Sequence, residues 1–288
     1  MTGSSTATHG GGRDLARRRR SLGHGALTAL TWLAALLVFF PFLWMVLTAF
    51  KQESDAVSAT PTLFFTPTLD QFRLAIENNL IPYFLNSLMA TVTSTAIVLA
   101  LALPAAYALS IRPAQKWRDV LFFFLTTRML PIAGAIVPIY LIARDIGALD
   151  SIGTLILLYT SMNLPLAIWM IRSFLKEIPV EVLEAARVDG VSFRQELTKV
   201  ILPMIAPGLS ATALLCVIFS WNEFFLAVNL TSSQAPTVPL YLVGFISTQG
   251  LFWAKLSAAS VLATLPVLIA GLLAQKQLVR GLSLGAIK

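Results

Sequence analysis

Apolar residues come in long blocks along this chain, and the polar residues between the blocks come in short ones. Six blocks stand out, at about Ala26–Phe50, Asn86–Leu109, Val120–Ala143, Ile152–Phe174, Ile205–Leu230 and Lys255–Gln275. Each is about 20 residues or more, and a helix of that length crosses roughly 30 Å of hydrocarbon. The pattern predicts an all-α integral membrane protein of six transmembrane helices. Pro41, Pro104, Pro131, Pro138, Pro165 and Pro266 fall inside or near these blocks. Lipid tolerates such breaks where neighbouring helices satisfy the freed backbone, so the spans should kink and pack on one another or on a partner.

The spaces between blocks set provisional boundaries. Residues 1–24 are rich in Gly, Ser, Thr and Arg, ending in Arg17–Arg20, and read as a disordered basic cytosolic tail. The apolar run that follows exceeds the 7–15-residue core of a signal peptide, so it reads as a retained helix. Residues 25–81 then hold the first span and an external loop. That loop, Lys51 to Leu85, is the longest outer segment, with Pro61, Pro67 and Pro82 as breakers. Residues 82–276 form the core, and 277–288 a cytosolic tail.

Composition agrees with the pattern. Of 288 residues 57% are hydrophobic and 12% charged, and a soluble domain carries about twice that charge. The net charge of +7 raises the question of nucleic acid, but its distribution answers otherwise. With the N-terminus inside, the inner segments hold most of the Lys and Arg, including Arg112, Lys116, Arg118, Arg172, Lys176, Arg187, Arg194 and Lys199. The outer ones hold only Lys51, Arg73, Arg144 and Lys255. That is the bias of a membrane protein with both termini cytosolic. Cys216 is alone, which excludes an internal disulfide. His9 and His24 lie in or beside the tail, which argues against a histidine-based metal or catalytic site.

One inner segment, 179–203, is unusually charged. Pro179 can open a helix, Glu181 and Glu184 favour its first turns, and Gly190 can close it in a left-handed conformation. Ser192 and Gln195 have capping-box spacing for a second helix, along which Phe193, Leu197 and Val200 share a face before Pro203 helps end it. Each helix is about ten residues long, and helices that short are marginal in water unless something packs on them. Ala185 and Ala186 would let a partner backbone approach closely. Two readings follow from the residues alone: a docking element for a cytosolic protein, or an amphipathic loop on the lipid surface.

The segment resembles a known family. Glu184-Ala185-Ala186, Gly190 and Val200-x-Leu202-Pro203 match the pattern EAA-x3-G-x9-I-x-L-P, with Val in place of Ile. That pattern marks permease subunits of ATP-binding-cassette importers. "NSLMATVTSTAIVLALALPAAYALS" (86–110), "WNEFFLAVNL" (221–230) and "QKQLVRGLSLGAIK" (275–288) resemble the carbohydrate branch, closest to the smaller permease of maltose-type systems. "LFWAKLSAAS" together with the tail resembles, more weakly, the mannitol and sorbitol permeases. The resemblance implies a type I importer fold in the bacterial cytoplasmic (inner) membrane. It implies a second permease, an ATPase dimer and an extracytosolic substrate-binding protein as partners, with membrane lipid around them and no nucleic acid. ATP and Mg would sit on the ATPase, and this chain would bind no cofactor. Glu184, Ala185, Ala186, Asp189, Gly190, Leu202 and Pro203 would form the coupling segment, Glu184 meeting a basic group of the ATPase.

Candidate residues for a solute path are polar groups within the blocks. Asn222 and Glu223 could face a water-filled cavity and hydrogen-bond substrate hydroxyls, or Glu223 could be a paired structural carboxylate. Arg128 could line the path, pair with an acid or snorkel to the surface. Thr91, Ser94 and Asn163 have either a path role or an ordinary packing role between helices. No G-x-x-x-x-G-K-[ST] phosphate loop, HExxH, CxxC or G-x-S-x-G occurs, so the chain is expected not to be an enzyme. An ion-coupled carrier using Glu223 and Arg128, or an ATP-driven permease for another solute, are the alternatives.

Overall fold

The computed structural model describes residues 11–58, 60–111, 116–129, 131–247 and 250–285. Apart from one two-residue antiparallel pairing, Ile246–Ser247 with Gly250–Leu251, the regular structure is helical. Helix α1 (Gly11–Ala49) carries the first apolar block. Its start at Gly11 lies inside the segment expected to be a disordered tail; residues 1–10 lie outside the described residues. Two short helices, α2 (Glu53–Ala56) and α3 (Asp70–Glu77), occupy the segment expected to be external. Helix α4 (Leu80–Ser110) begins earlier than the apolar block suggests. Pro82 therefore lies in its first turn, where the N–H it lacks would have no helical partner, and is not a loop breaker.

The third expected span is two helices. Helices α5 (Trp117–Met129) and α6 (Ile132–Asp145) are bent by 89° to each other. Pro131 stands between them with φ −66° and ψ 118°. A proline donates no hydrogen bond and pushes the residue before it out of helical geometry, so an apolar block without a gap still breaks here. Helix α7 (Ile152–Leu175) coincides with the fourth block. Next come α8 (Val180–Val188), α9 (Phe193–Gln195), a π-helical stretch Glu196–Ile201 and α10 (Leu202–Trp221). The fifth block then divides, because α11 (Phe225–Leu230) is a separate short helix. Helix α12 (Val238–Val243) and α13 (Trp253–Gly285) complete the chain, and α13 continues through the boundary expected at residue 276. Among the described residues, five helices are each long and apolar enough to cross a membrane, and α5 with α6 supplies a sixth when taken as one span.

Helices α4, α7 and α10 pack on one another and form the centre. Their main core joins Val98, Ala102, Ala106 and Tyr107 of α4 to Ala167, Ile168, Ile171 and Leu175 of α7 and to Ile205 and Cys216 of α10. Small residues at these contacts let helix backbones approach, which is how helices associate where lipid removes the hydrophobic drive. Helix α13 packs on α10, and α1 packs on α13. The apolar window of α1 is wholly unburied, with Leu33, Leu36, Leu37 and Phe40 exposed, as expected of a helix facing lipid or another subunit.

Candidate functional site: an elbow tied to the bundle

The 179–203 segment folds as a helix–turn–helix elbow. Pro179 is the N-cap of α8 and not its first residue, and Glu181 stands in the first turn. Gly190 has φ +75°. Its N–H donates to the Arg187 carbonyl (3.1 Å), and the Val191 N–H to the Ala186 carbonyl (3.1 Å). This pair of bonds is the Schellman closure, which satisfies carbonyls that the helix end leaves over. Ser192 and Gln195 then form the expected capping box. Pro203 does not end the second helix: it sits in the first turn of α10, and the helical path runs without a break from Phe193 to Trp221. Proline fits either end of a helix, and here it follows a π-helical stretch instead of a stop.

Two anchors hold the elbow. Leu183 is buried in the main core together with Ile178 and Ile201. Full burial of a leucine is worth about 1.5–3 kcal/mol, enough to matter for a helix this short. The second anchor is polar. Glu196, 1% exposed, accepts hydrogen bonds on Oε1 from the Tyr107 hydroxyl (3.0 Å) and from Arg187 Nη2 (3.1 Å). Tyr107 also meets Phe193 edge to face, with ring centroids 5.1 Å apart. The hydrogen bond to Glu196 raises the Arg187 pKa, so the guanidinium stays charged. Arg187, Glu196 and Tyr107 thus join α8, the π-helical stretch and α4. Sequence reasoning gave Tyr107 and Glu196 no role and counted Arg187 only as an inner-side charge; a lone Glu on the buried side of a helix was the available signal.

The face left outward carries most of the expected coupling residues. Glu184, Ala185, Asp189, Gly190 and Pro203 are exposed, and Leu202 is half-buried. Ala186 differs: it turns inward and is 9% exposed, so only Ala185 offers a bare helix surface. Val180 and Val188 are exposed on the same elbow.

The candidate path residues separate into two groups. Thr91, Ser94 and Asn163 are buried where α4, α7 and α10 meet. Asn163 Nδ2 donates to the Tyr159 carbonyl (3.0 Å) and to Ser220 Oγ (2.9 Å), and Ser220 Oγ lies 3.4 Å from Ser94 Oγ. That is a node between helices. Glu223, at the break between α10 and α11, accepts the Leu226 N–H on Oε1 (2.9 Å) and the Ala227 N–H on Oε2 (3.3 Å), capping α11. Arg128 is exposed, donates to the Met162 carbonyl (2.9 Å) and lies 5.0 Å from the centre of the Phe219 ring. Asn222 is exposed and lines a cavity of about 250 Å³ with residues of α12 and α13. Trp221 is buried, and its indole N–H donates to the Ala263 carbonyl (3.1 Å).

On the opposite end of the bundle, Asp150 ties two junctions together. Its carboxylate accepts backbone N–H bonds from Ser232 (2.8 Å), Ser233 (3.0 Å), Gln234 (2.9 Å) and Ala235 (3.1 Å). Both serine hydroxyls donate to it as well. Burial alone would push this carboxyl up, but the four backbone donors outweigh it and hold it well below the usual carboxylate range.

Comparison with known proteins places these features. Residues 99–283 match the family described as "Binding-protein-dependent transport system inner membrane component". A probable ABC transporter permease protein of Sinorhizobium fredii is 38% identical over 264 residues, covering 91% of this chain and 95% of that protein. The diacetylchitobiose uptake system permease protein of Streptomyces coelicolor is 36% identical, covering 86% and 91%. The trehalose/maltose transport system permease protein of Thermococcus litoralis is 32% identical, covering 89% and 94%. Among solved structures, a chain of a bacterial ABC transporter that imports the acidic polysaccharide alginate superimposes with a TM-score of 0.71 at 22% identity, covering 95% of this chain and 99% of that one. This last likeness speaks for the fold.

Proposed function

The chain belongs to the family of binding-protein-dependent transport system inner membrane components: it is a multi-pass membrane permease of the ATP-binding-cassette importer type and not an enzyme, and we propose that it carries a sugar or sugar alcohol. The named cargoes of its relatives, diacetylchitobiose and trehalose or maltose, support a carbohydrate. The exposed face of the elbow, with Glu184, Ala185 and Asp189 around the Gly190 turn, docks in a separate ATPase on the cytosolic side. A second permease completes the path, and a binding protein delivers solute to the other side. Closure of the ATPases on ATP moves the elbow, and the anchored bundle rocks with it. Asn222 is the path residue open to a cavity and is the one assigned to solute hydroxyls. Residues 82–276 act as the transporting core. Glu223 and Arg128, which an ion-coupled carrier would need free, are engaged with backbone groups.

The observation that carries the docking role is the outward Glu184 beside a short helix fixed from behind by Leu183 and Glu196. In proteoliposomes holding the complete complex, Glu184→Ala should abolish solute uptake and uncouple ATP hydrolysis while the subunits stay assembled. Full uptake with normal coupling in that variant would refute the docking role. Uptake assays over a sugar and polyol panel test the cargo separately.

A further inference from the structure

A cavity of about 430 Å³ opens beside the C-terminal end of α1. Helix α1 supplies Pro41, Trp44 and Thr48, the turn after it supplies Lys51, α2 supplies Asp55, and α13 supplies Trp253. Glu53 fixes this geometry: its two carboxylate oxygens accept the N–H groups of Ala254 (3.2 Å) and Lys255 (3.3 Å), clamping α2 onto the start of α13.

Lys51 is 2% exposed. Its Nζ lies 4.5 Å from the centre of the Trp44 ring and 5.2 Å from that of Phe65. No carboxylate pairs with it among the described residues. Each aromatic face attracts the ammonium, but neither is a strong acceptor for its three N–H donors. A lysine side chain held out of bulk water without an anion beside it favours an anionic ligand. The Thr48 hydroxyl, also buried on this cavity, has no hydrogen-bond partner among the described residues. Asp55 lines the same cavity and forms no ion pair among the described residues. The cavity therefore offers a cation and a hydroxyl for an anionic group, and a carboxylate for a cationic one. Two tryptophans of the kind that mark a membrane–water boundary flank it, and the exposed apolar side chains of α1, Leu36, Leu37 and Phe40, lie one to two helical turns away toward the hydrocarbon.

We propose that this cavity binds the headgroup of a zwitterionic aminophospholipid. The phosphate sits on Lys51 and Thr48, the primary ammonium meets Asp55, and the acyl chains run along α1. Lipid binding there fastens the outermost helix to α2 and to α13.

The test uses the full chain, purified with the subunits that accompany it, delipidated in detergent and titrated with phosphatidylethanolamine under native mass spectrometry. One tightly held lipid per copy of this chain is expected. Lys51→Met, which keeps the apolar stem, should weaken that binding at least tenfold, and Lys51→Arg should retain it. Asp55→Asn should lose the preference for phosphatidylethanolamine over phosphatidylglycerol while binding the latter undiminished. Should Lys51→Met fail to assemble, Thr48→Val carries the same comparison, with about threefold weaker binding expected. Unchanged binding in Lys51→Met, or in Thr48→Val where that stands in for it, overturns the proposal. So does displacement of the lipid by millimolar inorganic phosphate, which would mark a free-phosphate site, or equal affinity of the wild type for the two lipids.

Discussion

Arg187 Nη2 lies 3.1 Å from Glu196 Oε1, so the two arms of the elbow are bonded to each other across the Gly190 turn. Tyr107 shares the same oxygen from α4. A force applied to the outward face of α8 thus reaches α4 and α10 through hydrogen bonds as well as through Leu183.

Removing the guanidinium leaves Glu196 buried with only the tyrosine as partner. Arg187→Met should destabilise the complex by about 1–2 kcal/mol, the low end for a buried carboxylate losing a charged donor, because the Arg187 side chain is 36% exposed. It should also raise the ATP consumed per solute moved. Arg187→Lys should restore much of the coupling, since Lys keeps the charge but not the fork. Parallel uptake and hydrolysis assays in proteoliposomes check both. A purely structural role for Arg187 would lower the two rates together.

Gly190 is constrained by backbone geometry and not by space, since a Cβ there would meet nothing within 4 Å. At φ +75° an L-residue pays about 1–2 kcal/mol, and asparagine pays least. Uptake should fall in the order Gly190 > Gly190→Asn > Gly190→Ala. Gly190→Pro, which also removes the N–H bonded to the Arg187 carbonyl, should transport nothing. Equal uptake by all four would mean that the turn does not set the elbow.

The apolar blocks were legible because a membrane demands unbroken runs of about 20 apolar residues, and four of them are single helices. The breaks were not legible on the same terms. Pro131 follows Thr126, Thr127 and Arg128 in an otherwise apolar block, a pattern that reads as a kink and not as an 89° break, and Glu223 reads as an intramembrane acid until the N–H groups of Leu226 and Ala227 are seen on it. Pro203 reads as a stop because proline suits both ends of a helix. Glu184, Gly190 and the capping box of Ser192 could be found locally, from spacing. Tyr107–Glu196 and Asp150–Ser232 join residues 89 and 82 positions apart, and nothing in a single sequence pairs them.

Asp150 makes stability depend on acid. An unfolded aspartate titrates near about 3.9, whereas the folded carboxyl, held by four N–H groups, keeps its charge well below that. The unfolded form takes up the proton first, so the stabilisation is complete above about pH 5 and is lost as pH falls through 4 toward the folded value. Asp150→Asn also tolerates the left-handed φ of +54° and so isolates the charge. Melting temperatures of wild type and Asp150→Asn should differ most at pH 7, with the wild type higher, and converge toward pH 3. A constant difference from pH 7 to 3 would show that the carboxylate charge contributes nothing.

Gly208 decides how closely α10 approaches α7. A Cβ at this buried position would overlap the Phe174 ring, so the two helices meet there through backbone against aromatic face. Gly208→Ala must therefore displace the ring or part the helices, at a cost of about 1–3 kcal/mol typical of an overfilled contact. Gly271, on α13, is the control: a Cβ there meets nothing within 4 Å, and Gly271→Ala gains helix propensity of about 0.5–1 kcal/mol. Thermal unfolding of the purified complex should rank Gly271→Ala at or above wild type and Gly208→Ala clearly below it. The double variant Gly208→Ala with Phe174→Leu should recover part of the loss, because the smaller side chain returns the space the methyl takes. If the double variant were no more stable than Gly208→Ala alone, the contact between this glycine and this ring would not be what sets the α7–α10 approach.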